Sequence, residues 1–341
     1  MIRLCTFLLV AAACGCASTS GSSALGGPES RLVSFARGLN IRPASPRACP
    51  GEVIAATYEV RIDGGTVLPL TESDVSGLVR KAVAAEPTRN GGWLSSADAL
   101  ASAHSGFRLS ASLGRDTTVR GDTVVVPSYA CRRPEWDARP IGPLPDKAYV
   151  RLGTLATPFY DSIVVAVLEI AGRTPSVTIF GPGDVQRGAL RINAAGANGT
   201  AGHAGLSGPS GAECADGGDG HDGDDGRDGE PGRDVDIIVQ AGSEWLADLV
   251  SVFNPGGHGG AGGAAGAGGA PGFVPRGASC SPKAGRPGQR GTSGRDGQPG
   301  LRPKVSSVPL TLLWSGSPIW SDSTSRRVLS ELIQYTAKAV R

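Results

Sequence analysis

Residues 217–232 read Gly-Gly-Asp-Gly-His-Asp-Gly-Asp-Asp-Gly-Arg-Asp-Gly-Glu-Pro-Gly, with a glycine at every third position from Gly217 to Gly232. The same spacing recurs at Gly196–Gly211, Gly257–Gly272 and Gly285–Gly300, with six glycines in register in each run. Between Gly196 and Gly300, 31 of 105 residues are Gly, and 24 of them belong to these four equal runs. A period of three belongs to the polyproline II helix, which has three residues per turn and no internal hydrogen bonds. Every glycine of a run then lies along one edge, where another backbone can approach closely. At about 3.1 Å per residue each run would extend about 45 Å.

The triplets Gly229-Glu-Pro-Gly-Arg-Asp234, Gly285-Arg-Pro-Gly-Gln-Arg290 and Gly294-Arg-Asp-Gly-Gln-Pro299 resemble those of bacterial collagen-like proteins, over about a third of the chain. That resemblance implies interaction rather than catalysis. A triple helix of three chains favours long, unbroken repeats rich in imino acids, whereas these runs stop after six triplets. Equal short runs also resemble the polyglycine II assemblies of Gly-rich antifreeze proteins of snow fleas and of some phage adhesins. The expected fold class is therefore mainly β: an N-terminal β-sandwich-like domain, then a four-helix antiparallel polyproline II (polyglycine II) bundle, with a small β/α base. The collagen trimer is the competing assembly.

Antiparallel order brings the turns at 212–216 and 273–284 to one end, each with one cysteine, so Cys214 is expected to pair with Cys280. Cys49 then remains for Cys131. Run three carries a second glycine column, Gly256, Gly259, Gly262 and Gly268, and is expected to be an inner segment, with more outward surface on the other runs.

The start of the chain, Met1-Ile-Arg-Leu-Cys-Thr-Phe-Leu-Leu-Val-Ala-Ala-Ala-Cys-Gly-Cys16, has one positive charge, a short apolar run and small residues before cysteine. This is the form of a cleaved export signal, and Ala-Cys-Gly-Cys16 resembles a bacterial lipobox. Cys16, with Cys14 as the other candidate, is the expected lipidation site. The expected divisions are a signal at 1–15, a tether at 16–48, a β-sandwich-like domain at 49–193, the repeat region at 194–303 and a C-terminal strand and helix at 304–341. The compartment would be the bacterial cell envelope, with a lipid membrane as partner through the anchor.

Eight short β-like stretches lie between residues 50 and 193. Glu72–Ala85 has helical spacing behind a Thr71 cap. Val308–Trp314 reads as a further strand, Trp245 to Phe253 as a helix over the base, and the segment with Val328, Leu329, Leu332 and Ile333 as a C-terminal helix.

Charge excludes one class of partner: 33 Lys and Arg against 31 Asp and Glu leave no global basic surface for nucleic acid. Four histidines give little material for acid–base or zinc chemistry. Gly256–Gly269 lacks the Gly-Lys-Ser/Thr of a phosphate loop, and Gly205-Leu-Ser207-Gly belongs to the three-residue register rather than to a nucleophile elbow. Asp219, Asp222, Asp225 and Asp228 are about 9 Å apart along one edge, too far to share an ion, and are expected to be solvated or to face the arginines of run four. No catalytic residue, metal ligand or cofactor is expected, and the chain reads as a non-enzymatic spacer or adhesion module, with an extracellular protein or glycan as its partner. The alternative is an ice- or carbohydrate-surface-binding protein using the row Asn198, Ala201, Ala204, Ser207 and Ser210.

Overall fold

The computed structural model describes residues 35–114, 118–131, 134–140 and 147–339. The signal sequence and the proposed lipidation site, Cys16, lie outside these residues, as does most of the tether.

At the centre is a five-stranded sheet in the order Ser176–Phe180, Ile163–Ile170, Ala148–Leu155, Val235–Gln240, Val305–Val308. The first three strands pair antiparallel and the last two join in parallel. All eight residues of Ile163–Ile170, Ile-Val-Val-Ala-Val-Leu-Glu-Ile, are buried. A strand buried throughout and apolar except for Glu169 needs cover on both faces. One face packs against Leu190, Ile192, Leu246 and Leu249. The other packs against Leu313, Trp314, Ile319, Val328, Leu329 and Leu332. The last three of these come from the helix Ser323–Ala339. Gly153 allows this close cover, because a methyl there would overlap Leu313 and Trp314.

The buried carboxylate on Ile163–Ile170, Glu169, accepts from Arg151 Nε at 2.9 Å on the neighbouring central strand and also binds the Ser317 hydroxyl. Arg151 Nη1 donates to the Leu313 carbonyl at 2.8 Å, so a charge that would be costly alone is paired and bonded on several sides.

Residues 36–127 hold a separate core around Tyr58, Val60, Trp93, Phe107 and Leu109. Ala36–Pro43, Ala56–Ile62 and Val67–Pro69 form one sheet of it; Arg47–Ala48, Arg120–Pro127, Phe107–Leu113 and Leu78–Val83 form another. Cys49 and Cys131 are bonded, with Cα atoms 6.0 Å apart.

The expected fold class is corrected here. Among the described residues the protein is mainly β, 31% strand against 15% helical, with its strands divided among several sheets and no four-helix bundle. Residues 194–234 and 254–304 form neither helix nor strand. An α-helix bonds its backbone along its own turns, whereas the glycine amides here donate to other segments of the chain. Gly199 N–H reaches the His258 carbonyl at 2.8 Å, Arg227 N–H the Thr200 carbonyl at 2.9 Å, and Gly260 N–H the Arg227 carbonyl at 2.8 Å. Run four joins the same set, as Gly226 N–H donates to Thr292 O and Gly294 N–H to Gly260 O, both at 2.9 Å.

Runs two and three each bond to all three other runs, while runs one and four do not bond to each other. Run three is thus an inner segment, and run two is another. The second glycine column of run three serves the contact with run four: a methyl at Gly259 or Gly262 would overlap the Gly294 or Gly291 carbonyl. Run two sits inside without such a column, and its Asp, His and Arg residues at the other two positions are exposed.

Three local expectations also change. Thr71 does cap a helix, but it ends at Ser76 and Leu78–Val83 is a strand, since the alternation of Leu78 and Ala82 fits the pleat beside Phe107–Leu113. Leu310–Leu313 is a short helix, so the strand after run four is only Val305–Val308. Glu244–Leu249 is a 3-10 helix and Val250–Phe253 is a strand.

The glycine positions can be checked by substitution. Gly263→Ala places a methyl on the His203 carbonyl, an overpacking expected to cost about 3 kcal/mol. Ala265→Ser, at an exposed position of the same run, should leave the thermal midpoint within about 2 °C of the parent, as surface changes usually do.

Candidate functional site

The four Gly-rich segments stand on strands that already set their register. Leu190–Asn193 pairs in parallel with Val250–Phe253, and the bonds continue upward through Ala194 to Phe253 and Gly196 to Pro255 into runs one and three. Runs two and four descend into Val235–Gln240 and Val305–Val308, which are again parallel partners. At the far end Cys214 and Cys280 are bonded, with Cα atoms 5.6 Å apart and a sequence separation of 66. Closing a loop of that length removes about 4 kcal/mol of unfolded-chain entropy in the simple model.

The aspartates of run two hold run four. Oδ1 atoms of Asp216, Asp219, Asp222, Asp225, Asp228 and Asp234 accept the backbone N–H groups of Lys283, Arg286, Gln289, Thr292, Arg295 and Leu301, at 2.6–2.7 Å. The interval is 67 residues in every case. The one gap in this ladder falls at Pro231, which has no acceptor side chain. The carboxylates do face run four, yet their partners are its peptide groups and not its guanidinium groups. Run three is finished in the same manner, with Gly259 N–H on Asp296 Oδ1 at 2.8 Å and His258 N–H on Asn198 Oδ1 at 2.9 Å.

Asn198, Ala201, Ala204, Ser207 and Ser210 are all exposed along run one. They lie next to a second exposed row, His258, Ala261, Ala264, Ala267 and Ala270, whose carbonyls accept from the glycines of run one. Together these make a two-column face of mainly small side chains.

Among the described residues no group of three or more His, Cys, Asp or Glu side chains is placed to hold a metal ion. His104 lies edge-on to Tyr335, with ring centroids 6.3 Å apart. No helix among the described residues is long and apolar enough to cross a membrane. Compared with protein-family models, curated proteins and solved structures, the chain matches none.

Asp225, one member of the aspartate ladder, gives the Gly-rich region an acid dependence. Hydrogen bonds from Thr292, first its backbone N–H and then its side chain, hold the Asp225 carboxyl below the usual carboxylate range. A carboxyl lowered on folding contributes stability that is present above its unfolded pKa and lost as pH falls through the folded value. Unfolding monitored from pH 6 to pH 2 should show the chain weakening below about pH 4. Asp225→Asn retains an acceptor and should flatten that dependence, whereas Asp225→Ala should lower stability at pH 6 as well.

Proposed function

We propose that this protein is a non-enzymatic, lipid-anchored spacer or adhesion module of the bacterial cell envelope, which displays its Gly-rich segments away from the membrane. The observation carrying this reading is the backbone network joining the four runs, with the segments closed by a disulfide at the end remote from the strands. A projection built from inter-segment peptide bonds and pinned at its tip holds a fixed shape without a hydrocarbon core, which suits spacing and presentation. Two disulfides support an oxidising compartment outside the cytosol. The signal-like start and the lipobox-like Cys16 support the anchor, and the resemblance to collagen-like proteins supports an interaction role.

The alternative, binding of an ordered ice or carbohydrate surface, is favoured by the exposed two-column face that begins at Asn198.

Expression in a bacterium with a lipoprotein export pathway tests the leading reading. Intact mass should show a diacylglycerol-modified chain beginning at Cys16, in the membrane fraction, and Cys16→Ala should release it. The soluble variant should give no thermal hysteresis. An unmodified soluble product would reject the anchor, and hysteresis would favour the alternative.

A further inference from the structure

Glu135–Asp137, Leu190–Asn193 and Val250–Phe253 form a three-stranded parallel sheet at the foot of the Gly-rich segments. Its register places Asp137, Asn193 and Phe253 side by side on one rung. Their chain neighbours Trp136, Ile192 and Val252 pack into the core, so by the alternation of a strand the three rung residues face outward. Phe253 is 63% exposed, a large apolar ring left in solvent. The rung opens a groove of about 570 Å³ whose wall also includes Arg139, Arg173 and Asn198.

The polar groups of this groove are mainly donors. Asp137 is neutralised by Arg139, with Nε and Nη2 at 3.0 and 2.7 Å from its carboxylate oxygens. Arg139 holds the Asp137 carboxyl down to about 2, so it stays ionised at neutral pH. Arg173 is fixed by bonds to the Asp137 and Arg139 carbonyls at 3.3 and 2.8 Å. Asn193 and Asn198 accept backbone N–H groups of Ala195 and His258 through Oδ1, which leaves their NH2 groups to donate. Two guanidinium groups against one carboxylate give a local net charge of +1. An exposed aromatic face beside guanidinium and carboxamide donors suits a pyranose ring, which can lay its apolar C–H face on Phe253 while its hydroxyl groups and an anionic group meet the donors.

We propose that this groove binds an anionic sugar unit of a polysaccharide, with the ring lying on Phe253 and its carboxylate or sulfate held by Arg139 and Arg173. The proposal rests on the interaction role argued above and supplies the ligand class for it. Anchor and groove are tested by separate readouts, since fractionation reports the first and soluble binding the second.

The test uses the soluble Cys16→Ala chain in isothermal titration with a short oligogalacturonate, its methyl-esterified neutral form and a sulfated oligosaccharide. The expected result is binding of at least one anionic probe, at least tenfold weaker binding of the neutral form, and weakening with added salt. Phe253→Ala and Arg139→Gln should each weaken it at least tenfold while leaving the unfolding midpoint near that of the parent, and Ser207→Ala, on run one away from the groove, should bind as the parent does. Preference for the sulfated or the carboxylated probe identifies the source of the anion and supports the proposal either way. Equal binding of the neutral form, unchanged binding by both variants, or no binding of either anionic probe would overturn it.

Discussion

In the Gly-rich third of the chain, a backbone carbonyl of one segment lies so close to every third residue of its neighbour that no side chain fits between them. A methyl at Gly199 would overlap the Arg227 carbonyl, one at Gly220 the Gly266 carbonyl, and one at Gly288 the His221 carbonyl. The same approach lets peptide groups of neighbouring segments satisfy one another without α-helix or sheet ladders. Each such bond contributes only about 1 kcal/mol net, so the region depends on many of them holding register together. Glycine carries a large conformational entropy cost, and the disulfide between Cys214 and Cys280 offsets part of it by restricting the unfolded chain.

Close packing of peptide groups leaves the outer segments with the difficulty of a sheet edge, a row of unpaired donors open to another chain. Here the edges are finished by side chains. Asp216 to Asp234 cap run four, while Asn198 and Asp296 cap part of run three. On run one every exposed position between the register glycines carries a side chain, from Ala197 to Ser210, and the added Cβ atoms prevent a further segment from approaching as closely as the internal ones do. Below, the two parallel strand pairs continue the same register into hydrocarbon cores, so that the Gly-rich segments and the central sheet brace each other.

Much of this could be read in the sequence, for stated reasons. Four equal runs with period three determine where backbones meet, and one cysteine in each of two turns determines the staple. Other features depend on non-local pairing. The spacing of Asp219, Asp222 and Asp225 is visible, but their partners are fixed by the 67-residue offset that only the packed runs define. Leu78–Val83 carries helical and strand patterns at once, and the neighbouring Phe107–Leu113 decides between them. Leu310–Leu313 is apolar enough for a strand, yet the buried Leu313 and Trp314 serve as a cap on Gly153. The rung of Asp137, Asn193 and Phe253 was beyond sequence reasoning, since its three members are brought together by parallel pairing of strands far apart in the chain.

Amide hydrogen exchange resolved by residue tests the central claim most directly. If the segments bond as described, the glycine amides of all four runs are protected, and in run two His221, Asp224 and Arg227 are protected as well, because their N–H groups donate to Leu206, His203 and Thr200. Slow exchange at both sets of positions is the predicted result. Protection confined to one residue in three throughout all four runs, or rapid exchange across 196–300, would contradict the account.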